Sequence, residues 1–291
     1  MSALKPVAGI LVVIVFSAGL AWAGSQSGEM LNGVPLFWYC AATGFALHWL
    51  AFIPAYIWQT EHYFDLIGSL SYLATIAIAV TASDQLDLRS GLLALLVCLW
   101  ATRLGYFLFR RVRKAGSDRR FEKLKPFFWR FLYTWTLGGA WVFITLSAAV
   151  AAITTGSVVA IDWLAIAGFV LWCAGIAFEV IADYQKSQFR KISTNNKKFI
   201  TTGLWALSRH PNYFGEIVLW IGVALIAMPV LGGWQLLTLV SPVFVIFLLT
   251  QVSGIPMLEK DAQARWGDDA EYQRYVKQTP VLVPGLIKAT G

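Results

Sequence analysis

Charge is scarce in this 291-residue chain: only 13% of its residues are Asp, Glu, Lys or Arg, about half the fraction of an ordinary soluble domain. With 58% hydrophobic residues and a mean hydropathy of +0.63, it lacks the polar surface that keeps a globular domain of this size dissolved. Cysteine is scarce too. Cys40, Cys98 and Cys173 form no C-x-x-C pair, which argues against a disulfide framework or thiolate centre and leaves three small packing residues. The three histidines, His48, His62 and His210, sit on separate segments without carboxylates at ligand spacing, so no metal site is expected. Neither a G-x-G-x-x-G turn nor a Walker loop is present, so any nucleotide must bind without a Rossmann or P-loop domain.

What the chain does have is long apolar runs, roughly 6–23, 34–58, 66–82, 91–109, 134–153, 160–181, 214–232 and 234–256. Runs of about 17–25 residues are what an α-helix needs to cross a hydrocarbon core. An all-α, polytopic membrane bundle of about eight transmembrane helices follows, because spanning backbone must satisfy its own hydrogen bonds. The stretch "AWAGS" at 21–25 resembles a small-residue cleavage site. The run before it is nevertheless long enough to span and is preceded only by Lys5, so a retained first helix is expected. This divides the chain into a first helix with its external loop, 1–33, and a membrane domain, 34–291.

Of 23 Lys and Arg, nine fall in 110–130, six in 186–209 and five after residue 257. Placing these segments and both termini on the cytoplasmic side, of a bacterial inner membrane, satisfies the positive-inside rule and leaves Arg89 as the one external cation. The net charge of +7 is then a topology signal, and no nucleic-acid partner is expected. Gly232-Gly233 reads as an external turn, and Pro211 fits the first turn of the seventh helix. Residues 258–280 read as two short helices around Gly-Asp-Asp. Gly168 and Gly175, seven apart, are placed to pack closely on one neighbouring helix.

Ionisable residues at membrane depth are costly and mark function. Asp65 opens the third span, Arg103 nears the cytoplasmic end of the fourth, Glu179 and Asp183 lie one turn apart on the sixth, and Asn212 and Glu216 do the same on the seventh. All are expected at one membrane level, facing a cytosol-open cavity. In "GLWALSRHPNYFGEIVLWIG", 203–222, Arg209 and His210 precede a helix whose first amides are unsatisfied, a setting suited to phosphate, pyrophosphate or carboxylate. Asn212 there offers a donor and an acceptor to a ribose or amide, and Glu216 an acceptor one turn deeper.

That segment, with "FEVIADYQKSQFR" about 25 residues before it, resembles the C-terminal half of the steroid 5-alpha-reductase family, above all its uncharacterised bacterial branch. "YFDLIGSLSYL" and "WATRLGYFLFRRVRKAGSDRRF" extend the resemblance over roughly 35–285. R-H-P-N-Y-x-G-E is similar also to sterol C14/C7 reductases and, more loosely, to isoprenylcysteine carboxyl methyltransferases. The resemblance implies NADPH-dependent reduction of a C=C bond conjugated to a carbonyl, in a steroid-like or other lipid that enters from the bilayer. It implies cofactor contacts at Arg103, Arg111, Lys114, Glu179, Asp183, Arg190, Arg209, His210, Asn212 and Glu216, and Asp65 as general acid. Two departures stand out: Trp100 replaces the family's tyrosine, and "SGIPMLEK" lacks its basic, His-rich stretch. Two alternatives therefore stay open, an S-adenosylmethionine-dependent lipid or prenyl-thiol methyltransferase and a non-catalytic lipid-binding membrane protein. The sequence sets no oligomeric state.

Overall fold

The computed structural model describes residues 3–115, 119–195 and 197–285, with backbone alone for 111–115 and 119–120. Eight helices in it are long and apolar enough to cross a bilayer, matching the eight expected runs, and the chain is an integral membrane protein of all-α class. By contact, the chain resolves into two units: one runs to Ala165 and adds Val223–Ser241, the other comprises Ile166–Gly222 and the chain from Pro242 onward.

In the first unit, α1 (Leu4–Gly24) is followed by a small antiparallel hairpin, β1 (Met30–Leu31) and β2 (Val34–Pro35). The helical periodicity gave no sign of it, but its turn is Asn32-Gly33, with φ of 49° and 78°. Asn-Gly tolerates left-handed backbone at both central positions and so favours a tight hairpin. Helices α2 (Leu36–Ile57), α3 (Phe64–Ala82) and α4 (Leu88–Ala115) follow. After the short turn α5 (Arg119–Glu122) comes α6 (Phe128–Ile153), which starts six residues before the expected run because "FWRFLY" is drawn into it. Helix α6 is the buried centre of this unit, packed by α1, α2, α3 and α4. Its Gly139 faces Gly44 of α2, where an added Cβ would lie 2.9 Å from the Phe45 Cα. Small residues let the two backbones approach, the usual route to helix association where lipid supplies no hydrophobic drive.

Arg89, expected to be the one external cation, is 1% exposed. Its guanidinium donates to the Ile226 carbonyl at 2.6 Å and the Ala160 carbonyl at 2.9 Å, and pairs with Asp162 at 3.4 Å. Glu61, in the short segment between α2 and α3, is 3% exposed and paired with Lys125 at 2.6 Å. These two buried charges are structural clasps.

The second unit is built on α7 (Trp163–Lys191), α8 (Leu204–Leu207), α9 (Pro211–Ala227), α10 (Val240–Phe247), α11 (Gly254–Trp266) and α12 (Ala270–Gln278). Helix α7 runs ten residues past its expected apolar end at 181, because "DYQKSQFRK" is polar but helix-compatible. The eighth span is not one straight helix: a π-helical turn at Leu248–Val252 separates α10 from α11. Such turns break a helix where one residue too many is inserted. As expected, α9 begins at Pro211 and a Gly-Asp-Asp break separates the last two helices. Asp269 caps α12, accepting from the Glu271 amide at 2.8 Å.

Candidate functional site: a basic aromatic pocket beside buried carboxylates

Seven of the eleven residues singled out from sequence belong to the second unit: Glu179, Asp183, Arg190, Arg209, His210, Asn212 and Glu216. Their placement begins with two glycine contacts between α7 and α9. A Cβ on Gly175 would lie 2.6 Å from the Gly215 carbonyl oxygen, and one on Gly222 2.5 Å from that of Gly168. The spacing of seven in each helix puts both contacts on one face, so Gly168 and Gly175 do meet one neighbour. The close approach brings α9 against Glu179, whose amide nitrogen would be 2.7 Å from a Cβ on Gly215. Glu179 and Glu216, 3% and 8% exposed, are thereby held at the same level. Asp183, 8% exposed, lies one turn further along α7. None of the three is without a partner in the protein. Asn212 is half-buried in the first turn of α9, and Arg190 is exposed near the end of α7.

Arg209 and His210 are held by a strap of the C-terminal chain. The Arg209 amide donates to the Pro280 carbonyl at 2.9 Å, Ser208 Oγ to the Leu282 carbonyl at 2.7 Å, and the Gly285 amide to the Leu207 carbonyl at 3.0 Å. Both side chains turn to one carboxylate. Arg209 pairs with Glu259, and His210 Nε2 lies 2.7 Å from Glu259 Oε1. The His210 ring stacks on Tyr213, with centroids 5.7 Å apart and planes 9° apart. Burial holds the His210 imidazole below its ordinary value, partly offset by its hydrogen bond to the Glu259 carboxylate. Its Nδ1 is buried without a hydrogen-bond partner among the described residues.

Beside this trio opens a cavity of about 210 Å³. Five cations line it, Lys186, Arg190, Lys198, Arg209 and Arg265, against two acids, Glu259 and Asp261. The remaining wall is largely aromatic: Phe199 packs on Tyr272 with centroids 5.1 Å apart and on Trp266 at 5.7 Å. Lys186 lies 4.3 Å over the Trp205 ring, whose Nε1 donates to the Ala182 carbonyl at 3.1 Å. Tyr275 donates its hydroxyl to the Trp205 carbonyl at 2.7 Å. Burial pushes the Tyr272 and Tyr275 phenols up, so both stay protonated donors. Positive charge with flat aromatic surface suits a phosphate-bearing ring, since phosphate takes charge-assisted hydrogen bonds and the ring stacks. Arg190, Arg209 and His210 are the pocket residues expected from the sequence; Lys186, Lys198 and Arg265 join them only in the fold. Their only signal was charge, which a run of solvated cations shares.

Asp65, Arg103, Arg111 and Lys114 belong to the first unit; the side chains of Arg111 and Lys114 lie outside the described residues. Asp65 is half-buried in the first turn of α3, and Arg103 half-buried on α4, its guanidinium 5.7 Å over Phe107. The register of these antiparallel helices is set by Gly105, where a Cβ would strike Ser69, and by the edge-to-face contact of Tyr72 with Trp100 at 5.1 Å. At 1.5 Å per residue, Asp65 and Arg103 are offset by about 6–9 Å along the pair. Trp100 is 1% exposed and packs as a core residue.

The family described as "protein of unknown function (DUF1295)" matches residues 51–279. Curated relatives named 3-oxo-5-alpha-steroid 4-dehydrogenase 1 are similar over part of the chain. The Rattus norvegicus protein is 27% identical over 135 residues, 45% of this chain and 47% of that one. The Mus musculus protein is 26% identical over 162 residues, 54% and 57% of the two chains. The Bos taurus protein is 30% identical over 135 residues, 45% and 47%. The chain thus spans about half the length of the curated relatives it matches. No solved structure matches it.

Proposed function

The chain belongs to the DUF1295 family, resembling the steroid 5-alpha-reductase family, and on that premise we propose that it is a membrane-embedded oxidoreductase. In this reading it uses NADPH to reduce a carbon–carbon double bond conjugated to a carbonyl in a lipid-like substrate drawn from the bilayer. The observation that carries the proposal is the basic aromatic pocket of the second unit. At about 210 Å³ it is smaller than the ~300–1,000 Å³ of a cavity for a whole drug-sized ligand, so it suits one end of a dinucleotide. The phosphate-bearing adenosine end fits its chemistry: cations for the phosphates, aromatic rings for the base. The names of the relatives, which specify a 3-oxo steroid and a dehydrogenase, supply the reaction class.

Within this reading Arg190, Arg209 and His210, helped by Lys198 and Arg265, hold phosphate. Asp183, Asn212 and Glu216 take the ribose and amide hydroxyls and N–H groups, as does Glu179. Arg103, Arg111 and Lys114 are cofactor contacts on the strength of the resemblance alone. Bound there, the cofactor supplies a hydride to the β-carbon of the enone. Asp65, or a water that it orders, holds the proton for the carbonyl oxygen, since the buried Trp100 indole carries no proton of suitable acidity. The basic segments and both termini face the cytosol.

Mass analysis of small molecules released from detergent-purified protein tests the cofactor. NADP(H) at about one per chain is expected, and Glu216→Gln is expected to lose it. Recovery of S-adenosylmethionine, or no retention of either after soaking, overturns the reading.

A further inference from the structure

Residues 110–130 hold nine Lys and Arg against two acids, Asp118 and Glu122. The part of this segment that leads into α6 is a fixed turn. Phe121 of α5 is buried among Phe52, Phe64, Phe131 and Trp135. The Leu124 and Lys125 amides donate to its carbonyl at 2.9 and 3.0 Å, and the Phe127 amide donates to the Leu124 carbonyl at 3.1 Å. Lys125 is drawn back to the buried Glu61 carboxylate. Anchored at Phe121 and Lys125, the turn holds its outer face in place.

That outer face mixes two chemistries. Phe127, Phe128 and Trp129 are 50%, 39% and 43% exposed, and the last two open a helix long and apolar enough to span the bilayer. The rings are braced: Phe128 meets Tyr56 and Trp129 edge-on, each with centroids 5.1 Å apart. Ile57 and Trp58, which follow Tyr56, are exposed as well. Cations stand among these rings. The Arg130 guanidinium lies 4.9 Å over the Phe127 ring, and Lys123 is exposed on the same compact turn.

We infer that this turn binds an anionic glycerophospholipid, whose phosphate is met by Arg130 and Lys123 and whose glycerol and upper acyl segment rest on Phe127 and Trp129. Charge selects an anion. The rings select an amphiphile, because a soluble phosphate has no apolar surface to place on them. Position selects a lipid over an acidic protein: rings at the first turn of a spanning helix lie at headgroup level, where interfacial aromatics collect. A guanidinium carries five N–H donors in one plane, so Arg130 faces a phosphate while it stacks on Phe127. A zwitterionic headgroup brings its own cation beside the phosphate and gains less from the same two side chains. None of these residues is assigned to the cofactor or the proton, so the inference stands apart from the proposed reduction.

The test is photolabelling of the full-length protein in phosphatidylcholine nanodiscs. One arm carries a tritiated phosphatidylglycerol and the other a tritiated phosphatidylcholine, each with a diazirine in its upper acyl chain. Phosphatidylglycerol should label 121–130 saturably, about ten-fold more strongly than phosphatidylcholine, and the label should fall as salt is raised. Lys123→Gln and Arg130→Gln should each weaken labelling roughly five-fold, the worth of one cation at an anionic surface. Lys123 is exposed, so its replacement reads charge without disturbing the fold. Equal labelling by the two lipids, label elsewhere, or label indifferent to both substitutions would overturn the inference. So would displacement by free glycerol phosphate, which assigns the site to a soluble anion, or protection of the turn in native membranes by a bound acidic protein.

Discussion

Replacing Gly215 by alanine should loosen the second unit. The new Cβ would lie 2.5 Å from the Gly175 carbonyl oxygen, 2.7 Å from the Glu179 amide nitrogen and 3.1 Å from the Phe178 Cβ. Ordinary contact begins at 3.4 Å, so α7 and α9 must separate by about 0.9 Å (3.4 − 2.5) at this point. The two nearest atoms are backbone, and no side-chain rotation relieves them. Overpacking of this kind costs about 1–3 kcal/mol, and the upper half applies where the obstacle cannot turn aside. At roughly 2–4 °C per kcal/mol, detergent-solubilised Gly215→Ala should unfold several degrees below the parent when followed by tryptophan fluorescence. The same shift carries Glu179 away from Glu216, so nucleotide retention should fall with it. Gly19→Ala is the control, since an added Cβ there meets nothing within 4 Å, and it should leave both readouts unchanged. Equal unfolding temperatures for the two variants would refute the close-packing argument.

Three further outcomes are expected. Arg89→Met should cost about 2–3 kcal/mol in thermal unfolding, because it strips the Ile226 and Ala160 carbonyls of their buried donor. The folded-state pKa of His210 lies below its ordinary 6.5, so below about pH 6.5 the unfolded chain takes up a proton that the folded one refuses. Its contribution to stability is therefore present above that pH and lost as pH falls toward the folded value, a decline in unfolding temperature that His210→Gln should flatten. Glu259→Gln should tighten binding of adenosine 2′,5′-bisphosphate about ten-fold by titration calorimetry, while lowering the unfolding temperature; weaker binding would show that the carboxylate supports the ligand.

The membrane makes the helices legible. A spanning segment must be apolar for about 20 residues, so the eight runs announce themselves in composition alone. What composition does not carry is where a helix stops once it leaves the bilayer. The ten residues that finish α7 and the π-helical turn that breaks the eighth span both rest on backbone geometry that no hydropathy window records. The hairpin at 30–35 was readable from Asn32-Gly33, but only by looking for turn chemistry between two runs instead of at the runs themselves. Charge is a poor guide to burial here: Arg89 and Glu61 lie between apolar runs in the sequence, where charge is ordinarily solvated, and are buried clasps in the fold.

The candidate site was partly legible for the same reason. A chain with so few charges exposes the ones it keeps, and Arg209, His210 and Glu216 stood out in an apolar helix mouth. Their partners did not, because Glu259 is 50 residues away from Arg209 and sits in an ordinary-looking polar helix. That partner alters the electrostatic reading of the segment. Taken alone, two cations before a helix N-terminus form an open anion site; with Glu259 in place, Arg209 already has an anion and His210 a hydrogen-bond acceptor. Glu259 is therefore the scaffold that orients the two side chains and, in the proposed reading, a competitor for the ligand's phosphate. Side chains 11% and 6% exposed would not be held in a cavity wall at low cost without such a counter-charge. A pocket that keeps its cations folded by lending them a carboxylate trades affinity for stability.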